Sequence, residues 1–203
     1  MSQESEQNAS IRPTFHHFGV LTARLEEMIG WYARVLGMRT NFQSMTGGIA
    51  FAFLSNDQAH HRMALIAWPG LKDDSDRRPH AKLQHVAFEY ATIDDLLKTW
   101  ERLKGFEIEP VVATDHGMTI AFYYQDPDGN SVELFVDTFG DWDKSAEYVR
   151  TSPEFHQNTM GTYLDPEQLM AAWKAGTTLA DLHRRAYAGA FPPPHPMNPG
   201  MIL

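Results

Sequence analysis

The chain has 203 residues, a size that fits one domain or two small, closely packed modules. Hydrophobic residues make up 43% of it and charged residues 21%, which suffices for a folded core and excludes global disorder. The formal charge is −9, and such a surface repels phosphate backbones and anionic membranes, so we expect neither a nucleic-acid nor a membrane partner. The chain contains no cysteine and ten histidines, so any bound metal must be held by His, Asp or Glu.

The N-terminal segment, residues 1–12, is rich in Ser, Gln and Glu and is predicted to be a disordered lead-in. It lacks a basic region followed by an apolar run, and the apolar runs elsewhere have strand length rather than membrane-spanning length. We therefore expect a cytoplasmic protein.

An internal repeat starts after this lead-in and recurs 68 residues later. Residues 17–20 align with 85–88, and Gly37 aligns with Gly105. Each copy predicts a strand, an amphipathic helix, a glycine in the left-handed conformation that ends the helix, and further strands. The repeat predicts an α+β fold of two tandem β-α-β-β-β modules, about residues 13–70 and 83–138, whose half-open sheets leave a cleft between them.

The last third of the chain, residues 139–203, is predicted to be a C-terminal extension. Asp165 and Pro166 are typical of a helix start, and this helix is predicted to end near Lys174. A second short helix is predicted around residues 179–188, followed by a Pro-rich tail. The extension packs either on the modules or on a partner subunit, which leaves a homo-oligomer through this part of the chain open.

Three residues of metal-binding type fall in the predicted strands. His17 and His85 occupy equivalent positions of the repeat, so both imidazoles are expected to face a shared cleft. Glu133 stands between two apolar residues, so alternation buries its carboxylate, and a metal ion would compensate for the buried charge. Two histidines and one carboxylate leave coordination positions open and suit non-haem Fe(II) oxygen chemistry.

The segment from Thr114 to Glu133 gives more specific evidence. It reads Thr-Asp-His, five residues, Phe-Tyr, two residues, Asp-Pro-Asp-Gly, three residues, Glu. This order resembles the signature of the type I extradiol ring-cleaving dioxygenases of the vicinal oxygen chelate superfamily, whose fold consists of paired β-α-β-β-β modules. Asp-Pro-Asp-Gly alone is a common hairpin turn. A turn does not explain why His116, Tyr123 and Glu133 also fall at the spacing of this family.

The resemblance covers about residues 13–138 and implies that the modules form a half-open barrel around a metal site. It implies an iron ion with three protein ligands, and three further side chains for acid/base catalysis and hydrogen bonding. In the numbering of this chain the implied ligands are His17, His85 and Glu133, and the implied catalytic groups are His61, His116 and Tyr123.

The segment from Phe53 to His61 adds to the resemblance, because the family has a similar stretch that ends in a paired histidine. It implies that Phe53 lines the pocket for the aromatic ring, and we expect Phe122 near the same pocket. The charged loop of residues 71–82 lengthens the interval before His85, and it leaves His80 as an alternative to His61.

These observations predict an Fe(II)-dependent extradiol dioxygenase that cleaves a catechol-type aromatic diol with O2 in aromatic compound catabolism. The cofactor is Fe(II), and the partners are the diol and O2. Two alternatives stay open: a glyoxalase-like metal-dependent isomerase or epimerase, and a metal-free small-molecule binding protein. Four histidines match no motif and are interpreted as packing or surface residues: His16, His156, His183 and His195.

Overall fold

The computed structural model describes residues 12–74, 76–77, 79–198 and 200. Almost all of the predicted lead-in therefore lies outside the described residues. Two modules follow each other with the same order of elements. The first consists of β1 (Phe18–Leu21), α1 (Leu25–Leu36), β2 (Arg39–Thr46), β3 (Ile49–Ser55) and β4 (Met63–Ala67). The second consists of β5 (His85–Glu89), α2 (Ile93–Lys104), β6 (Val112–Asp115), β7 (Thr119–Gln125) and β8 (Ser131–Asp137).

Each module forms one sheet with the same strand order. The first sheet has the order β1-β4-β3-β2, and the second has β5-β8-β7-β6, extended by the short strand β9 (Thr162–Tyr163). In both, the first strand runs parallel to the last, while the remaining pairs are antiparallel. The predicted α+β fold of two β-α-β-β-β modules is confirmed. The described strands form two separate sheets and do not close into one barrel.

Because side chains alternate along a strand, each sheet has two faces, and one of them packs against a helix. In the second sheet, Phe122 and Leu134 are fully buried and belong to the main core together with Leu96 of α2. Tyr123 and Glu133, one position away on β7 and β8, therefore project from the opposite side, because successive strand residues point to opposite faces. We call this side the cleft face of the second sheet.

The two modules contact each other through their helices, their first strands and one turn. The Arg102 guanidinium donates to the backbone carbonyl of Arg34 at 2.7 Å, which joins the two equivalent helices. The Tyr32 hydroxyl donates to Asp126 in the turn after β7 at 3.0 Å. The rings of Phe18 and Phe88 lie 6.4 Å apart, so β1 and β5 are neighbours.

The two helices end differently, although glycine follows both. Gly37 adopts the predicted left-handed conformation, with φ 63°. Gly105 has φ −66°, so the prediction of a left-handed residue there is wrong. After Gly105 the turn continues, and Glu107 takes the positive φ of 60°. Hydrogen bonds from the amides of Glu107 and Ile108 to the carbonyls of Lys104 and Leu103 close the helix at this later point.

The C-terminal extension contains four helices in the described residues, two more than predicted. The predicted pair corresponds to α5 and α6, and the Asp165 side chain caps α5 by accepting from the Glu167 amide. In chain order the helices are α3 (Trp142–Thr151), α4 (Pro153–Gln157), α5 (Pro166–Lys174) and α6 (Leu179–Tyr187). None of the helices in the described part of the chain has the length and apolar character needed to cross a membrane.

The extension packs on the second module of its own chain. Strand β9 pairs with β6, and the Trp173 indole donates to Asp94 of α2 at 3.1 Å. Of the two arrangements that the sequence left open, the structure thus has the one within the chain.

Candidate active site

Four polar side chains form a continuous hydrogen-bonded series on the cleft face of the second sheet. His85 Nε2 lies 3.0 Å from Glu133 Oε2, and Tyr123 Oη donates to Glu133 Oε1 at 3.0 Å. His116 Nε2 lies 3.0 Å from Tyr123 Oη. Glu133, Tyr123 and His116 are all at most 9% exposed. The structure thus brings together four of the predicted site residues.

Strand register explains this grouping. Tyr123 and Glu133 are direct neighbours across β7 and β8, and His85 stands on β5, the other neighbour of β8. His116 follows the last residue of β6. Side chains on the same face of adjacent strands lie within contact distance, so the sequence positions alone place these groups together.

Burial controls the protonation of the two groups at the end of the series. The pKa of Tyr123 is strongly raised, first by burial and then by the neighbouring Glu133 carboxylate, so the phenol keeps its proton and can donate it. Burial lowers the pKa of His116, so its neutral imidazole is favoured. A protonated phenol between a carboxylate and a neutral imidazole can give a hydrogen bond to either one.

The separation of His85 Nε2 and Glu133 Oε2 suits two ligands of one metal ion. Adjacent ligands at about 2.1 Å from an octahedral ion are about 3.0 Å apart, and the observed distance is 3.0 Å. Each side chain also has the donor atom that divalent transition metals accept, an imidazole nitrogen and a carboxylate oxygen. This pair therefore fits two positions of a metal site.

His17, the third predicted ligand, lies in a cluster of imidazoles from the first module. Its ring is 4.2 Å from the ring of His61, and its Nδ1 is 3.0 Å from Nδ1 of His16. His16 in turn contacts the ring of His60 at 4.7 Å. Among the described residues no group of three or more His, Cys, Asp or Glu is close enough to hold a metal ion. The structure therefore does not bring His17 together with His85 and Glu133.

The position of the first sheet that is equivalent to Glu133 carries no carboxylate. Glu133 pairs with Ala87 in the second sheet, and Gly19, the equivalent of Ala87, pairs with Ala64 in the first. Ala64 is buried and small. A metal site built from equivalent positions of both modules would have three protein ligands instead of four, which leaves room for small molecules.

An apolar groove lies beside the imidazole cluster. Phe53 stacks on His61 with ring centroids 4.5 Å apart and an interplanar angle of 23°. Phe42 lies 5.3 Å from Phe53. Together with Asn41 and His60 these side chains line an open groove of about 660 Å³. The pKa of His61 is lowered, first by burial and then by the surrounding imidazoles, which favours a neutral ring able to accept a proton.

His80 lies in the charged loop and contacts Asp74, with its Nδ1 2.7 Å from the carboxylate. More than half of its side chain is exposed. The loop is attached to the turn after β7, where Arg77 donates to Asn130 at 2.6 Å and to the Asp128 carbonyl. His80 is thus paired with Asp74 in the loop, whereas His61 stacks on Phe53 at the groove.

The structure corrects one further expectation, for Phe122, and decides between the packing and surface alternatives for His183. Phe122 is fully buried in the main core and does not lie near the pocket, because its neighbour Tyr123 takes the cleft face. His183 is not a simple surface residue, since its Nδ1 lies 2.8 Å from the fully buried Asp115 carboxylate. No local sequence pattern indicates this contact, which joins residues 68 positions apart.

Comparisons with known proteins agree with this architecture. The family model described as the Glyoxalase/Bleomycin resistance protein/Dioxygenase superfamily matches residues 14–134. Biphenyl-2,3-diol 1,2-dioxygenase 2 of Rhodococcus globerulus is 37% identical over 188 residues, which cover 91% of this chain and 95% of that protein. Biphenyl-2,3-diol 1,2-dioxygenase 3 of the same organism is 36% identical over 179 residues, 88% of this chain and 92% of that protein.

A solved structure shares the fold. The crystal structure of a glyoxylase/bleomycin resistance protein/dioxygenase domain from Frankia sp. EAN1pec aligns with a TM-score of 0.55 at 17% identity. The alignment covers 63% of this chain and 93% of that chain.

Proposed function

Because the chain belongs to the Glyoxalase/Bleomycin resistance protein/Dioxygenase superfamily, we propose that it is an extradiol dioxygenase that cleaves a catechol-type aromatic diol with O2. The observation that carries this proposal is the hydrogen-bonded series from His85 through Glu133 and Tyr123 to His116. The series joins His85 and Glu133, two residues of metal-binding type, to Tyr123 and His116. The latter two side chains can exchange protons with a diol. The relatives named for biphenyl-2,3-diol, matched over most of their length, support this substrate class.

We propose Fe(II) as the metal, held by His85 and Glu133 with His17 as the third ligand. The distance of 3.0 Å between His85 Nε2 and Glu133 Oε2 supports these two residues as ligands. The equivalence of His17 with His85 in the repeat supports His17 as the third ligand. When bound, Fe(II) would supply the redox chemistry that allows O2 to react with the diol.

The protein groups would orient the diol and move its protons. Tyr123 keeps its proton, so it can donate a hydrogen bond to a diol oxygen, and neutral His116 can accept one. Neutral His61 would take a proton from the diol. The rings of Phe53 and Phe42 would contact the substituent of the aromatic ring.

The proposal predicts O2-dependent ring cleavage. The protein loaded anaerobically with Fe(II) is expected to consume one O2 per diol and to form a yellow ring-fission product from diols with a hydrophobic substituent beside the hydroxyls. An oxygen electrode and absorbance spectra measure both quantities over a panel of catechols and 2,3-dihydroxybiphenyl. If the iron-loaded protein consumes no O2 with any diol, the proposal fails; turnover of a thiol adduct without O2 would instead indicate the isomerase.

The groove predicts a preference for bicyclic diols. Replacing Phe42 with alanine is expected to reduce kcat/KM for 2,3-dihydroxybiphenyl relative to catechol about 2- to 10-fold, since one aromatic contact contributes about 0.5–1.5 kcal/mol. Phe106→Ala is the matched control, because Phe106 is a comparably exposed phenylalanine after α2. If Phe42→Ala lowers kcat/KM equally for both diols, or if Phe106→Ala causes the same change, the groove does not contact the substrate.

A further inference from the structure

The backbone of the extension is pressed against the segment that carries His116. Gly161 has φ 73°, and a Cβ atom there would lie 2.0 Å from the Asp115 carbonyl oxygen and 2.7 Å from the Cα of His116. No residue with a side chain fits such a contact. Immediately afterwards, Thr162 of β9 pairs with Asp115 of β6. The extension thus approaches the site as closely as backbone atoms permit.

A buried polar contact holds the same segment from a second side. The Asp115 carboxylate is fully buried; one oxygen accepts from the Gly117 amide at 2.8 Å, and the other lies 2.8 Å from Nδ1 of His183 on α6. Asp115 and Gly117 flank His116 in the sequence, so the contact with Gly117 closes the backbone around it. Burying a carboxylate without partners is costly, so the position of Asp115 depends on His183.

The ring of His116 is itself in contact with the extension. Its Nε2 lies 3.0 Å from the Tyr123 hydroxyl, and the backbone of Thr159 and Met160 acts on the ring by raising its pKa against the effect of burial. The Met160 carbonyl is fixed in turn, because it accepts from the Thr114 hydroxyl at 3.1 Å.

We propose that the C-terminal extension is a positioning element of the active site, with His183 as a positioning residue that acts through Asp115 on His116. His183 fixes the segment, and the backbone of Thr159 and Met160, which follows α4, helps to hold the ring of His116 in one orientation and one tautomer. The two Rhodococcus globerulus relatives match at least 88% of this chain, which includes much of the extension as well as the modules. The inference rests on the proposed function, in which His116 contacts the diol.

The test combines His183→Ala with the conservative His183→Asn, whose side-chain amide can still donate to Asp115. Loss of a supporting contact of this kind typically reduces activity about 10- to 100-fold. His183→Ala is therefore expected to lower kcat by about this factor with KM changed less than about 2-fold, and His183→Asn to restore most of it. His156→Ala is the matched control, an exposed histidine of the extension whose Nε2 lies 2.9 Å from the Val149 carbonyl.

Two readouts separate positioning from a general structural role. In a His116→Asn background, His183→Ala is expected to have no further effect on kcat. NMR of 15N-labelled histidine side chains is expected to show a single tautomer of His116 in the parent protein and a tautomer mixture in His183→Ala. An additive loss of kcat in the double variant would overturn the inference, as would an unchanged tautomer in His183→Ala.

The same experiments distinguish this inference from the proposed function. If His116→Asn alone leaves turnover unchanged, the role of His116 in the proposed function is wrong. The tautomer measurement requires no substrate, so it decides whether His183 positions His116 even when no diol is cleaved. If His183→Ala does not fold, Asp115→Asn decides the question, because it removes the carboxylate that His183 contacts: an unchanged His116 tautomer in Asp115→Asn overturns the inference.

Discussion

Replacing Glu133 with alanine is expected to remove most of the bound metal and to abolish turnover. The carboxylate is 7% exposed, and its two oxygens contact His85 and Tyr123. The variant therefore loses a proposed metal ligand, which is also the carboxylate that joins His85 to Tyr123. Metal analysis of anaerobically purified protein, together with O2 uptake, measures the two effects separately.

The control for this variant is Glu89→Ala. Glu89 is an exposed carboxylate at the end of β5, the strand that also carries His85, and its contact is with the Trp142 indole. This control is expected to retain full metal and activity. If the Glu133→Ala protein binds stoichiometric iron with parent affinity, the ligand assignment is wrong.

His17→Ala tests the third ligand by the same metal analysis. If this variant loses its metal, His17 is a ligand despite its position in the imidazole cluster. If only the changes at His85 and Glu133 reduce metal binding, His17 belongs to the cluster with His16 and His61 alone.

The modules were predictable because their elements are specified locally. The repeat aligned the two strand–helix units, and α1 and α2 each span 12 residues at equivalent positions. Alternation along β8 also placed Glu133 correctly, since a strand with Val132 and Leu134 in the core must direct the residue between them to the other face. The same rule applied to β7 places Phe122 and Tyr123 on opposite faces. Phe122 therefore cannot face the pocket that Tyr123 faces.

The extension was harder to predict because its contacts are tertiary. Helix α3 buries only Ser145, so it has no apolar stripe; its Asp141 cap, which accepts from two amides, was the available signal. Strand β9 has two residues and exists because β6 offers a free edge. The contact between His183 and Asp115 depends on that docking, so no local pattern reveals it.

The position of His17 shows a limit of the repeat argument. His85 is the first residue of β5, whereas β1 begins at Phe18, one residue after His17. Outside the strand, register no longer fixes the direction of the side chain. Neighbouring imidazoles then determine where the ring of His17 lies.

Replacing His61 with asparagine is expected to slow ring cleavage about 100- to 10,000-fold, the usual range for loss of a general acid or base. The variant should keep its metal and still bind diol, because His61 is proposed as an acid/base group and not as a ligand. The unperturbed imidazole pKa of about 6.5 lies near the working pH, and here burial lowers the pKa of His61 and favours the proton-accepting form.

The geometry around His61 supports this role. Phe53 stacks on the ring and His60 Nδ1 lies 2.6 Å from His61 Nδ1, so the imidazole is held at the groove that would bind the aromatic substrate. Stopped-flow spectra under anaerobic conditions measure diol binding, and later mixing with O2 measures cleavage, so the two steps are resolved in one variant.

His80→Asn is the control for the His61 prediction. Its side chain is exposed and paired with Asp74, so this change is expected to leave the cleavage rate within about 2-fold of the parent, in the range of surface substitutions. A slow His80→Asn protein beside a normal His61→Asn protein would transfer the acid/base role to the charged loop. In that case His60 and His61 would serve the first module only as packing for Phe53 and His17.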